Sequence, residues 1–513
     1  MGNTGRDRIP RPTDERVKEI ARKKNIHLTE EEVADYKLLI EDSLLSLEEL
    51  KSIEHEEYKP TTSNYTDRSP GYRPGPKEDR YNAWITKCRV EGADQGLLSG
   101  KTVGLKDTIA LAGYELTAGS NMMEGYIPDI DATIVKRLLD EGATIVGKNN
   151  METFGLSGAG DLSDFGPVLN PRNEKYLAGG SSSGSAAAVA AEECDVAIGG
   201  DQAGSIRIPA AWCGVVGLKP TRGLVPYTGI IATNLARDHV GPIARSVSDV
   251  AKTMDVIAGP DYDDGLLLDP RQSASDHGKN YYESAKQEVD GITLGILEEG
   301  FGWDTSDPEI DKTVENSIRL LEENGAETKP ISEPLHRKSG PILAGAIQGA
   351  IQLMKEGGVG TSHNGWYWTD YVDAFRKMSA TEFNHLPSSV KRSWIVSEYI
   401  YEEYNVSFYA KSMNIALELK KRYNNHLDDC DALVLPTTPI PPHELNPGLD
   451  RINRLQRARL PLANTSLFNL TGHPAITLPC DTTDDLPVGM MLIGRHYGDD
   501  QLLKISQFVE DTI

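Results

Sequence analysis

The sequence predicts an α/β protein: a central mixed, largely parallel, twisted sheet covered by helices, with an N-terminal α-helical domain and a small helix-rich insertion. Three observations lead there. From Gly100 onward, short apolar runs alternate with helical patterns, as in a sheet buried on both faces by crossover helices. Two Gly/Ser-rich loops, residues 178–185 and 199–209, each open into a small-residue run suited to a helix start, and the apolar segment Asp195-Val196-Ala197-Ile198 lies between them. Between residues 307 and 425 long helical patterns dominate and strand signals are few.

The elements follow in order. Residues 14–24 and 29–56 read as charged amphipathic helices. In the second, Val33, Tyr36, Leu39, Ile40, Leu44 and Leu47 recur at helical spacing, and Thr29 with Glu32 forms a capping-box pattern. The turn-rich stretch from Pro60 to Pro76 marks a boundary, so residues 1–78 are assigned to the N-terminal helical domain. Strands are expected at 102–105, 144–146 and 196–198, and helices at 132–141, 184–193 and 246–257; together they make the first part of the core, 79–298. Residues 299–425 read as a helix-rich cap. Strands at 432–435, 475–479 and 488–493 and a closing helix from Asp500 make the second part, 426–513.

Bulk properties narrow the function classes. A formal net charge of -24 argues against a nucleic-acid or anionic-membrane partner and favours a neutral or small substrate. No apolar run approaches the ~20 residues of a membrane helix. Met1-Gly2 is followed by charges without an apolar stretch, so no secretory signal is expected, and Arg6 stands where a myristoylation signal wants Ser or Thr. The five cysteines are widely spaced, odd in number and without a Cys-x-x-Cys, which reads as reduced thiols of a cytoplasmic protein. With no His-Glu-x-x-His and no Cys/His cluster, neither a metal nor a cofactor is expected.

The two loops carry the chemistry. Glycines let backbone N–H groups approach a reacting oxygen, and serines supply hydroxyl nucleophiles. Lys106, in Gly104-Leu105-Lys106-Asp107-Thr108, directly follows a strand. A buried lysine loses its proton more easily and becomes a base, so a lysine beside two serines makes a base–relay–nucleophile chain. Gly180-Ser181-Ser182-Ser183-Gly184 also spells G-x-S-x-G, an elbow that would make Ser182 the nucleophile with His239 or His473 as base. That motif needs a strand directly before it, and Asn173-Glu174-Lys175-Tyr176-Leu177 is a poor buried strand.

Lys106, the Gly-Gly-Ser-Ser run and the Gly-Ser-Ile-Arg-x-Pro run resemble the amidase signature family of Ser-cisSer-Lys hydrolases. The resemblance continues through residues 209–221, 223–226 and 238–246 and covers roughly residues 75–513. It implies that Ser205 is the nucleophile, that Ser181, preceded by a cis peptide bond, is the relay, and that Lys106 is the base. It implies an oxyanion hole from the N–H groups of Gln202, Ala203 and Gly204, and an acyl pocket lined by Gly155, Leu156, Ser157 and Gly158, with Leu156 facing the substrate. Phe154 reads equally well as core. Asp201 and Arg207 read as an ion pair bracing the loop. The implied reaction cleaves a carboxylic acid amide to acid plus ammonia or amine through an acyl-enzyme on Ser205. Carbamate, ester or anilide hydrolysis on the same site is the alternative.

Two residues depart from the family pattern, Ser183 and Ala203, each standing where a glycine is usual. Gly200-Asp201-Gln202 and the N-terminal extension resemble the bacterial amidases that act beside nitrile hydratases. That subgroup implies a small-molecule amide substrate, a homodimer, and neither nucleic-acid nor membrane partners. A glutaminase subunit of a tRNA-dependent amidotransferase shares the triad, but it usually carries Thr at the position of Gln202 and Gln at that of Ile208, and it lacks the extension. A non-enzymatic relative is opposed by the intact Lys106, Ser181 and Ser205.

Overall fold

The computed structural model describes residues 8–53, 57–272, 280–289, 291–361 and 363–513. The chain divides into two compact units, one running to Pro60 and the other from Thr61 to Ile513. The first holds α1 (Asp14–Arg22) and α2 (Glu30–Ser52). The capping box at the start of α2 is present: Glu32 N–H donates to Thr29 Oγ1 at 3.2 Å and the Glu32 carboxylate accepts from Thr29 N–H at 2.7 Å. The two helices bury Val17, Ala21 and Val33 and are tied by Lys37 to Asp14 at 2.8 Å. Residues 54–56 of the expected second helix lie outside the described residues.

The boundary falls earlier than the turn-rich stretch suggests, because residues 61–78 belong to the second unit by their bonds. Arg68 pairs with the buried Asp131 at 2.6 Å, and the backbones of Tyr72 and Lys87 exchange hydrogen bonds at 3.0 and 2.8 Å.

The second unit is built on an eleven-stranded sheet. Its strands in chain order are β1 (Trp84–Glu91), β2 (Thr102–Lys106), β3 (Thr144–Asn149), β4 (Val196–Asp201), β5 (Val216–Lys219), β6 (His239–Ala244), β7 (Ile292–Leu297), β8 (Ala326–Ile331), β9 (Ala432–Pro436), β10 (Ala475–Thr483) and β11 (Leu486–Ile493). Across the sheet they run β1-β3-β2-β4-β6-β5-β10-β11-β9-β7-β8. Parallel pairing joins β3, β2 and β4 on one side and β9, β7 and β8 on the other. Antiparallel pairing fills the centre, where β10 and β11 form a hairpin. The sheet is thus mixed and covered by helices, as its apolar, mostly non-alternating strands require: every residue of β4, β6, β9 and β11 is buried.

The covering helices are α3 (Thr133–Asp140), α4 (Ser183–Ala190), α5 (Arg207–Cys213), α6 (Val247–Ile257) and α7 (Pro308–Glu323), with a closing helix over Asp499–Thr512. Asp307 caps α7 by accepting from Glu309 N–H at 3.0 Å, with Pro308 in the first turn. α7 and β8 belong to the sheet layer, so the purely helical part of the expected cap begins later, after β8. It spans Ser339–Ala346, Gln348–Lys355, Thr369–Glu382, Ser388–Tyr404 and Ser407–Asp428. Trp368, Tyr371 and Phe375 from this region pack with Tyr126 and Phe154 into a second hydrophobic core.

Candidate active site

Two neighbouring parallel strands set the site. Lys106 is the last residue of β2 and Asp201 the last of β4, with Leu105 paired to Ile198 between them. The loop after β4 therefore leaves the sheet beside Lys106, at the carboxyl ends of the strands, where α/β proteins open a crevice. α4 begins just after Ser181 and lies on the sheet because its residues are small. A Cβ on Gly184 would stand 2.2 Å from the Ala83 carbonyl, so only glycine permits the approach. Ser182 locks the two loops together: its hydroxyl donates to Gly200 O at 3.0 Å and accepts from Gly200 N–H at 3.1 Å. The Gly180–Ser181 peptide bond is cis.

Lys106 Nζ stands 2.7 Å from Ser181 Oγ and 3.2 Å from the Gly200 carbonyl. The side chain is 1% exposed. Burial pushes its pKa down to about 7, against the opposing pull of the Asp201, Asp238 and Glu152 carboxylates. Burial, reinforced by Asp161, pushes the Glu152 carboxyl up, so less negative charge works to reprotonate the lysine. Ser205 is buried and accepts Ser182 N–H at its carbonyl at 3.1 Å.

The loop carrying Ser205 is braced from below. Arg207 Nε and Nη2 meet the two Asp201 oxygens at 2.9 and 3.0 Å, with both side chains fully buried. Asn469 adds a donor to Asp201 at 2.8 Å. Burial alone would raise the Asp201 carboxyl; the Arg207 guanidinium overrides it and holds the group well below the usual carboxylate range. Asp201 also accepts Gly204 N–H at 2.6 Å. Of the three expected oxyanion donors Gly204 is therefore engaged, while the N–H groups of Gln202, Ala203 and Ser205 take no acceptor among the described residues. Neither departure from glycine strains the chain, for Ser183 and Ala203 both avoid positive φ.

A cavity of about 130 Å³ opens over Ser205. Gly155, Leu156 and Ser157 line it; Gly158 is not among its lining residues, and its N–H bonds the Ala458 carbonyl at 3.2 Å. Phe154 belongs to the core, edge-on to Phe375 at 6.2 Å. The far wall comes from residues that sequence reasoning missed, Arg237, Leu343, Ile347, Arg392, Arg459 and Leu462 among them. One signal was available. Ser389, Arg392, Ser393, Val396, Ser397 and Ile400 recur at helical spacing in Ser388–Tyr404 and all face the cavity.

The elbow arrangement is not formed. Ser182 is committed to Gly200, His239 Nδ1 faces the Arg237 carbonyl at 2.8 Å, and His473 is held by Thr471 and Asn424. Asn173–Leu177 does form a strand, but in a separate two-stranded ladder.

Known proteins resemble this chain over most of its length. A family model described as "Amidase" matches residues 80–503. The chain is 39% identical over 428 residues to a glutamyl-tRNA(Gln) amidotransferase subunit from Haloarcula marismortui, covering 83% of this chain and 98% of that one. It is 35% identical over 457 residues to an enantioselective amidase of Rhodococcus rhodochrous, covering 88% and 87%. The crystal structure of the corresponding glutamyl-tRNA(Gln) amidotransferase subunit from Thermotoga maritima superposes with a TM-score of 0.65 at 26% identity, covering 91% of this chain and 90% of that one. These relatives correct one expectation. A small-molecule amide with a homodimer, to the exclusion of nucleic acid, does not stand as the partner set, because relatives at this similarity are named as a subunit of an enzyme for glutamyl-tRNA(Gln). Net charge does not decide the partner set, for a physical reason. It is a sum over the whole chain, and an acidic subunit can work in an assembly whose nucleic-acid contacts lie on another chain. No helix among the described residues is long and apolar enough to cross a membrane.

Proposed function

Because this chain belongs to the amidase family, an enzyme family acting on C–N bonds, we propose that it hydrolyses a carboxamide through an acyl-enzyme on Ser205. The observation that carries the reading is the 2.7 Å contact between the fully buried Lys106 amine and Ser181 Oγ, beside the cavity that Ser205 lines. With its pKa near 7, Lys106 holds a large neutral fraction at neutral pH and can accept a proton. As Ser205 Oγ attacks the carbonyl carbon, its proton passes to Ser181 Oγ, and the Ser181 proton passes to Lys106 Nζ. The free N–H groups of Gln202, Ala203 and Ser205 receive the oxyanion, each such donor being worth about 3 kcal/mol of barrier. The protons return by the same path to the leaving nitrogen. Water then attacks the ester, with the relay acting in the same sense.

The cavity is lined by apolar residues, by serines and glutamines such as Ser157, Gln348, Ser389 and Ser393, and by Arg237, Arg392 and Arg459, with no carboxylate among its lining residues. Such a lining suits an apolar or anionic acyl group and offers no counter-charge to an ammonium. The five cysteines are all buried and unpaired, which supports a reducing, cytoplasmic setting.

A second reading, glutamine hydrolysis as one subunit of an amidotransferase, is favoured by the match along 98% of the Haloarcula protein. The deciding experiment measures ammonia release from benzamide, butyramide and glutamine by the parent protein and Ser205→Ala, with intact-mass detection of the acyl adduct. Simple amides turned over with loss of both activity and adduct in Ser205→Ala are expected. Turnover of glutamine alone, or only on addition of amidotransferase partner subunits, establishes the second reading instead. Full activity in Ser205→Ala overturns both.

A further inference from the structure

The side chain of Gln202 has no part in the relay or the oxyanion hole, yet it lies against both loops. It is 6% exposed and lines the cavity. Its Nε2 donates to the buried Tyr227 hydroxyl at 3.3 Å, which fixes the amide plane. Its Oε1 is buried and has no hydrogen-bond partner. A carbonyl oxygen stripped of water and left without a donor is costly in a folded protein, and such groups persist where a ligand supplies the donor.

The position of that oxygen is informative. A methyl group built on Gly155 would stand 3.4 Å from Gln202 Oε1 and 3.4 Å from Ser181 Oγ. One built on Gly200 would stand 3.3 Å from Gln202 Nε2 and 3.6 Å from Lys106 Nζ. The side chain therefore runs alongside the Lys106–Ser181 pair, and its unpartnered oxygen shares with Ser181 Oγ a small space kept open by the absence of a side chain at Gly155. That space adjoins the cavity, since Gly155 lines it.

We infer that Gln202 Oε1 is the acceptor for an N–H of the departing amine, making Gln202 the residue that selects amides bearing a free N–H over esters of the same acid. This rests on the reading of Ser205 as nucleophile and Ser181 as relay. When the tetrahedral intermediate collapses, the C–N bond breaks and the bond between Ser205 Oγ and carbon remains. Ser181 Oγ delivers its proton to the nitrogen and is reprotonated by the Lys106 ammonium, so ammonia leaves neutral. The nitrogen must turn its lone pair toward Ser181 to receive that proton, and its remaining N–H bonds then need an acceptor on the far side of the same space. Gln202 Oε1 is the unpartnered acceptor there. An ester oxygen has no hydrogen to donate and gains nothing from it, whereas a site built to bond a donor discriminates strongly against an analogue that lacks one.

The test uses the full chain with benzamide and methyl benzoate, which share an acyl group. Gln202→Met keeps the length of the side chain and removes the carbonyl. The ratio of kcat/KM for amide over ester is expected to fall about 100-fold, the scale of losing one hydrogen bond made in the transition state. Gln202→Glu, which retains an acceptor, is expected to keep more of the ratio than Gln202→Met. Should Gln202→Met fail to fold, Tyr227→Phe decides, because releasing Nε2 unfixes Oε1; the ratio is then expected to fall about 10-fold, a partial form of the same loss. An unchanged ratio in the folded variants, both substrates falling together, overturns the inference. Ser205→Ala separates the two levels of failure: if it leaves turnover intact the nucleophile reading itself is lost, and if it abolishes turnover while the ratio holds in Gln202→Met only the role of Gln202 is lost.

Discussion

Asp107 and Lys148 form an ion pair of 2.8 Å in which neither side chain is exposed, and Asp107 directly follows Lys106 on the chain. Lys148 lies on β3, opposite Leu105 of β2. Asp107 also accepts Thr117 N–H at 2.9 Å. The pair thus clamps the carboxyl ends of the two strands that position Lys106. Breaking such a pair by removing one partner leaves a buried charge uncompensated. Lys148→Met is expected to destabilise the protein by about 3–5 kcal/mol, read as a lower urea midpoint at constant slope. A loss below about 1 kcal/mol, as for an exposed pair, would show that the two strand ends are held by other contacts.

Activity should follow the protonation of Lys106. Burial favours the neutral amine, and the proposed relay needs that neutral form to take the Ser181 proton. As pH rises through about 7 the ammonium is lost, so kcat/KM for an amide should climb through that region and level off above it. Lys106→Arg should abolish the limb and lower kcat by about 10²–10⁴-fold, because a guanidinium stays protonated and cannot act as the base. A pH profile flat from acid to neutral in the parent protein contradicts this assignment.

The Asp201–Arg207 pair makes a prediction with a definite sign. The folded state holds the Asp201 carboxyl below its ordinary value, so the pair contributes stability above the unfolded pKa of about 3.9 and loses it as pH falls further. Arg207→Gln should therefore destabilise strongly at pH 7, by about 3–5 kcal/mol. The gap to the parent should narrow below about pH 4, where protonation relieves the stranded carboxylate. Unfolding free energies measured from about pH 3 to 7 check both parts; a gap that widens in acid is the contrary result.

Gly204 and Ala203 are neighbours with opposite tolerance. Gly204 has φ of +133°, and a Cβ there would stand 2.3 Å from Thr465 Oγ1. Gly204→Ala must shift the loop that carries Ser205, and a loss of about 10²-fold in kcat is expected from misplacing the proposed nucleophile. Ala203 has no positive φ, so Ala203→Gly should stay within about threefold of the parent, since a Gly at an unstrained position mainly adds unfolded-state entropy. Steady-state kinetics with circular dichroism as a folding control compare the two.

Much of this was legible in the sequence because the chemistry dictates contiguous residue types. Lys106 follows a run of strand residues and ends the five-residue β2, Ser181 precedes a helix of small residues, and Ser205 sits between a Gly-rich strand end and a helix, so local patterning shows each with its element. The capping box at Thr29 and Glu32 is equally local, a matter of two side chains three residues apart. What patterning misplaced involves distant partners. Residues 61–78 read as the turn-rich end of the N-terminal domain until Arg68 finds Asp131, and Ala326–Ile331 lies within a helical-looking stretch until it pairs beside β7.

Residue type and spacing along the chain pointed to the α/β architecture, and the resemblance of its motifs to the amidase signature family implied the roles of Lys106, Ser181 and Ser205. Which groups are free to act emerged only on folding. Gly204 N–H is occupied by Asp201 while its neighbours are not; the Lys106 amine is drawn toward its neutral form only through burial; the cavity wall is assembled from segments near residues 156, 343, 392 and 459. Tyr227 holds one end of the Gln202 amide and leaves Oε1 at the other end unpartnered. Hydrogen bonding and desolvation act over a few ångströms in space, and residue order does not encode which atoms meet at that distance until the chain has folded.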